Sequence, residues 1–194
     1  MGLWVVGLLS LPLTWAVTWS PLPAYGQSKP ILSDRPYIEA VRSGDLEAYE
    51  EQVVRGVSVN ARGHDRITAL IVAAELGHTD IVKFILDKEG RVDSSSRDKR
   101  TALTMAALGG HDDIITLLLE AGADPDKRGY QSEHALLLAV RNGHGAAVEA
   151  LLVGGANPNV TDVTGRTALR LAEQARHMDV AKILQSAKRQ STEN

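Results

Sequence analysis

From Thr68 onward the chain repeats one rhythm of apolar and polar positions. Leu70, Ala73 and Ala74 recur at helical spacing and share one face. The run breaks at Gly77, where a helix end wants a left-handed residue. A second stripe follows, Ile81, Val82, Ile85 and Leu86, and it opens with Asp80 near the positive end of its helix. The pattern returns as Ile114, Ile115, Leu118 and Leu119, closed by the turn Gly122-Ala123-Asp124-Pro125-Asp126. This predicts a unit of two short helices joined by a tight turn and followed by a hairpin loop. The Thr68 hydroxyl is predicted to cap the first helix by accepting a backbone N–H.

The rhythm has a fixed period. Thr-Ala-Leu begins at 68, 101 and 167, with His134-Ala135-Leu136 as a fourth copy, so successive copies lie 33 residues apart. Ala73, Ala106, Ala139 and Ala172 align in that register. So do Gly44, Gly77, Gly110 and Gly143, and also His78, His111, His144 and His177. Asn60, Asp93, Asp126 and Asn159 close the units. No unit can bury its apolar face alone, so the units must stack, and the small alanines let neighbouring helix pairs approach closely.

On these residues the chain resembles the ankyrin-repeat family, which has this period and a T-P-L-H-x-A motif. The resemblance rests on Thr101-Ala102-Leu103-Thr104-Met105-Ala106-Ala107, Gly110-His111 and Leu117 to Asp126. It implies an all-α solenoid of about five stacked helix-turn-helix units joined by short β-hairpin loops. The units read as 34–62, 63–95, 96–128, 129–161 and 162–189, with a tail at 190–194. The first and last are capping units; Ser33 or Asp34 is expected to cap the first helix. Several positions depart from the family pattern. Ala replaces the motif proline, and Ile71, Thr104, Leu137 and Arg170 replace its histidine. His134 stands where threonine should cap, Glu89 occupies a glycine column, and Arg176 replaces the glycine of the last unit. These changes bear most on the turn geometry of the second and fourth units.

Residues 1–28 carry no Lys, Arg, Asp or Glu, and Leu3 to Trp19 is almost wholly apolar. Small residues at Ala24 and Gly26 fit a cut before Gln27. Residues 1–26 therefore read as a secretory signal peptide, or an uncleaved anchor, with 27–33 as linker. The expected location is periplasmic or secreted, or membrane-anchored facing outside the cytoplasm. The resemblance is to exported bacterial ankyrin-repeat proteins.

Composition narrows the chemistry. A net charge of −3 argues against a general nucleic-acid binder. The absence of cysteine excludes disulfides, thiolate zinc sites and cysteine nucleophiles. Equivalent residues of packed helix pairs lie roughly 8–10 Å apart, so the histidine column cannot share one metal ion. His78-Thr79-Asp80 and His111-Asp112-Asp113 read more simply as acids placed for the helix dipole. No nucleophile, base and orienter set is legible. The chain is thus expected to be a monomeric, non-catalytic protein-binding module without cofactor or metal. A secreted effector that binds a host protein, or a hydrolase with a His/Asp site, is the alternative.

The resemblance implies binding through hairpin tips and the inner helix face. Candidate tip residues are Arg62, Arg66, Arg97, Lys99, Arg100, Lys127, Arg128 and Tyr130, which make the middle tips basic on an acidic chain. Tyr130 is expected to be exposed as an interface anchor. On the inner face Glu75, Leu108 and Arg141 share one column.

Overall fold

A computed structural model describes residues 35–193. The signal and linker readings, residues 1–33, lie outside the described residues. The stack comprises ten α-helices in pairs. These are α1 (Pro36–Ser43) and α2 (Leu46–Val54), α3 (Ala69–Leu76) and α4 (Thr79–Asp87), and α5 (Ala102–Gly109) and α6 (Asp112–Glu120). Then come α7 (Ala135–Asn142) and α8 (Gly145–Val153), and α9 (Ala168–Gln174) and α10 (Met178–Glu193). The odd-numbered helices form one row, each packing on the next, and α4, α6, α8 and α10 form the outer row. The all-α solenoid expected from the period is what is observed. The expected hairpins are reduced: no strand forms among the described residues, and two isolated bridges, Arg62 with Thr68 and Thr161 with Thr167, mark where they would be. Helix α10 continues to Glu193, through the stretch read as a tail.

Local signals act as the sequence dictates, with two exceptions. The hydroxyls of Thr68, Thr101 and Thr167 accept the backbone N–H of Ile71, Thr104 and Arg170. At Thr101 the bond is reciprocated, because Thr104 Oγ1 accepts the Thr101 N–H at 3.0 Å. His134, in the same column, makes no such cap. The first helix is the other exception. Its N-cap is Arg35, without a side-chain bond, and Pro36 starts the helix. Neither Ser33 nor Asp34 holds that position; the preset φ of proline at the first turn takes over the work of the cap.

Ala73, Ala106, Ala139 and Ala172 are fully buried where the inner helices meet. Ile81, Val82, Ile85, Ile114, Ile115 and Leu118 are buried between the rows, each contributing roughly 1.5–3 kcal/mol of burial. Leu86 and Leu119 are only half-buried, so the outer stripes are narrower than the sequence suggests.

The glycine and histidine columns form one repeated joint. Gly44, Gly77, Gly110 and Gly143 end their helices with φ between 72° and 78°. Against each lies the imidazole of the following unit. A Cβ on Gly77 would stand 2.6 Å from His111, and one on Gly44 would stand 2.8 Å from His78. The Nε2 atoms of His78, His144 and His177 face the carbonyls of Arg42, Leu108 and Arg141 at 3.4, 3.1 and 3.2 Å. A carbonyl only accepts, so in these three rings Nε2 carries the proton. In the first unit the histidine position is Asp45, which instead caps α2 through the Ala48 N–H. The closing column adds further ties between units: Asn60 accepts from the Arg91 N–H, and Asp126 from the Asn157 N–H.

Candidate partner-binding surface

The tips between helix pairs come in two constructions, set by the first residue of each tip. In the third and fifth units that residue is Ser96 or Asp162, and its side chain holds the turn. Ser96 Oγ accepts the Arg100 N–H at 3.0 Å. Asp162 Oδ1 accepts the N–H groups of Thr164 and Arg166, both at 2.9 Å, and the Thr164 hydroxyl at 2.7 Å. Each tip then needs a single left-handed residue, Lys99 (φ 64°) or Gly165 (φ 80°). In the second and fourth units the first residue is Gly63 or Gly129, and no side chain is present to accept. The backbone closes the loop alone: Gly63 N–H donates to Ile67 and Gly129 N–H to Glu133. Two consecutive left-handed residues are then required, Asp65 and Arg66 (φ 51° and 62°) or Gln131 and Ser132 (55° and 61°). A side chain at Gly129 would collide with Thr104 Cγ2 of the preceding unit.

Most of the candidate tip cations are engaged within the stack. Arg100 pairs with Asp98 at 2.6 Å and reaches Glu75 of the preceding unit at 3.6 Å. Asp98 also accepts from the Ser96 hydroxyl. Partial burial opposes ionisation there, but the bonds from Ser96 and Arg100 outweigh it and hold the carboxyl below its usual range. Arg97 lies 3.5 Å from Asp65, and its N–H donates to the Asp65 carbonyl, tying the second tip to the third. Lys127 donates to the Asp93 carbonyl at 2.8 Å. Arg128 bonds the Ser132 carbonyl at 3.3 Å and forms no ion pair among the described residues. Tyr130 is half-buried rather than exposed, and it follows Gly129, whose backbone lies close against Thr104 of the preceding unit. Arg62, Arg66 and Lys99 form no ion pair among the described residues.

The inner-face column is brought together as its spacing implies, on α3, α5 and α7, but its members differ. Glu75 faces Arg100, Leu108 is half-buried, and Arg141 belongs to a network the sequence reading missed. Arg141 pairs with Glu133 of its own unit at 2.7 Å and with Asp162 of the next unit at 3.1 Å. Asp162 also binds Arg166 at 2.8 Å. Glu133 is 4% exposed, and the Asp162 side chain is fully covered. Burial would push the Asp162 carboxyl up. Hydrogen bonds from Thr164 and from the Arg166 backbone and guanidinium overcome that and hold it well below the usual carboxylate range. One signal could have found this site: an acid at 162 with Thr164 and Arg166 after it is an Asx-turn pattern. Across the joint between the second and third units, the Thr79 hydroxyl donates to Asp113 at 2.6 Å and holds that carboxyl below its usual range.

A family model described as ankyrin repeats (3 copies) matches residues 37–129 and again residues 130–193. The chain belongs to the ankyrin-repeat family. No curated protein matches it. Ankyrin repeats are generally protein–protein interaction modules, typically non-catalytic. In this ankyrin stack the tips and the inner helices form one surface cross-tied between units. Among its described residues no three His, Asp or Glu side chains converge on a metal-sized site, and no helix is long and apolar enough to cross a membrane.

Proposed function

We propose that this ankyrin chain is a non-catalytic module that works outside the cytoplasm as a monomer, holding another protein against its tips and inner helices. The observation that carries the reading is the alignment of Glu75, Leu108 and Arg141 on successive inner helices, beside tips tied across units by Glu75–Arg100 and Arg141–Asp162. A surface locked by its own ion pairs loses little conformational freedom on binding, which favours recognition of a folded partner. Leu108 is the apolar centre of this face, with ion-paired neighbours on either side. The apolar, charge-free run at residues 1–26 supports export.

Crosslinking in the native cell, with a C-terminal tag on the full chain, tests this directly. The expected result is enrichment of one extracytoplasmic protein, lost on Leu108→Glu. Capture of no protein would overturn the reading. N-terminal sequencing of the same preparation tests export: a start at Gln27 is expected for cleavage, and Met1 for an anchor. A chain recovered only from the cytoplasm would overturn the location.

A further inference from the structure

We infer that the tips of the second to fourth units recognise an acidic segment of the partner protein, through Arg62, Arg66, Lys99 and Arg128. This rests on the protein-binding reading above and deepens it. The inference starts from charge accounting along the tips. Within the tips the acids are Asp65, Asp98, Glu133 and Asp162, each taken by a cation of the stack. Just before the fourth tip, Asp124 and Asp126 form no ion pair among the described residues, Asp126 instead accepting the Asn157 N–H. Arg97, Arg100 and Arg166 are consumed in the same pairs. Lys127 is turned back onto Asp93. Arg62, Arg66, Lys99 and Arg128 form no ion pair among the described residues. Arg66, Lys99 and Arg128 are exposed. Against the unpaired Asp124 and Asp126, these four cations leave the edge net positive on a chain whose net charge is −3.

Backbone conformation fixes how two of these cations are presented. Arg66 and Lys99 occupy one repeat column and are both left-handed, at φ 62° and 64°. The fifth unit fills that column with Gly165, the residue that adopts this conformation without strain. The fourth unit holds Ser132 there at φ 61°, so the turn itself demands the left-handed backbone, and the second and third units differ in presenting a long cation from it. In the second to fourth units the two columns hold Arg62 and Arg66, then Ser95 and Lys99, then Arg128 and Ser132, so each of these units presents at least one cation, whereas the fifth has Thr161 and Gly165. The cationic edge consequently spans the second to fourth units and stops. Rim charges of this kind set association rate and partner choice.

The test uses the purified full chain and a fluorescein-labelled peptide of alternating glutamate and serine. A glutamine-for-glutamate peptide and a DNA duplex serve as competitors. The glutamate peptide is expected to bind, more weakly as salt rises. Arg66→Gly with Lys99→Gly should weaken it about tenfold, without lowering the melting temperature. Arg66→Glu with Lys99→Glu should abolish it and create affinity for a lysine–serine peptide. Equal binding of the glutamine peptide, competition by DNA at matched charge, or unchanged affinity in the glycine variant would each overturn the inference. So would a lowered melting temperature in that variant, which would make the two cations structural.

Native-cell crosslinking separates this inference from the reading beneath it. A partner captured equally by the wild type and the glycine variant overturns only the acidic segment. No captured protein overturns both.

Discussion

The tips of the third and fifth units and those of the second and fourth connect equivalent helices by different means. Where Ser96 or Asp162 comes first, a side-chain oxygen receives the backbone donors of the turn. Where Gly63 or Gly129 comes first, those donors find only backbone, and the loop takes two left-handed residues instead of one. A single atom group therefore decides the turn type. It also decides what the tip can do besides closing. At Asp162 the same carboxylate reaches Arg141 of the preceding unit, so turn and joint are one network. At Gly129 the space an acid would need belongs to Thr104.

The largest effect should come from removing the acceptor. Asp162→Ala leaves Arg141 and Arg166 without their shared partner and two tip N–H groups without an acceptor. A fall in melting temperature of roughly 5–10 °C is expected by thermal denaturation. Asp162→Asn, which keeps one acceptor oxygen, should fall less. The difference between wild type and the Asn variant should also depend on pH. The folded-state carboxyl is held well below its unfolded value, so its contribution is complete above about pH 4. It should shrink as pH falls below that, toward the folded-state value, and melting curves for the two proteins from pH 7 down to pH 3 should converge.

An intermediate effect is expected from forcing one construction onto the other. Gly129→Asp offers the fourth tip an acceptor but drives its Cβ into Thr104 Cγ2. It should destabilise by about 1–3 kcal/mol in urea titration. Adding Thr104→Ser removes the colliding methyl and should recover part of the loss. Full stability in Gly129→Asp alone would mean the two constructions are interchangeable and break the comparison.

The smallest effects lie at the left-handed positions. Ser132→Gly should raise stability by up to about 1 kcal/mol, and Gly165→Ser should lower it by about the same. Both follow from the urea midpoint at constant slope.

The repeat period made the helices, caps and alanine columns legible, because each is dictated locally and reinforced by its neighbours at the same register. The same register explains why the glycine-column exceptions do not alter the fold. Glu89 and Arg176 adopt φ 57° and 61°, since packing on both sides leaves the chain no other path. The tips were less legible. Gly63 and Gly129 are visible in the sequence, but their consequence depends on which backbone donors come within reach of the first tip side chain. The basic tips were legible as composition and not as free charge: the sequence lists Arg97, Arg100 and Arg141 beside Arg66 and Lys99, and only geometry shows which are paired. Tyr130 was expected to be exposed and is half-buried, since exposure depends on how closely the chain beside it, at Gly129, approaches the preceding unit.

The glycine–histidine joint has a consequence for growth. Each internal unit carries a socket for the ring that follows and a plug for the glycine before it. Asp45 gives the first unit a socket without a plug, and Arg176 gives the last a plug without a socket. In the language of polymer chemistry, the internal units are bifunctional monomers and the two ends are terminators. Duplicating residues 129–161 in place brings its own Gly143 and His144 and lengthens the array with every glycine–histidine joint intact, although the first copy's Arg141 is then followed by Gly129 rather than Asp162. Adding a unit beyond α10 meets the side chain of Arg176 first. This molecule can thus gain length from its middle by copying alone, whereas extension at its end waits on a substitution to glycine.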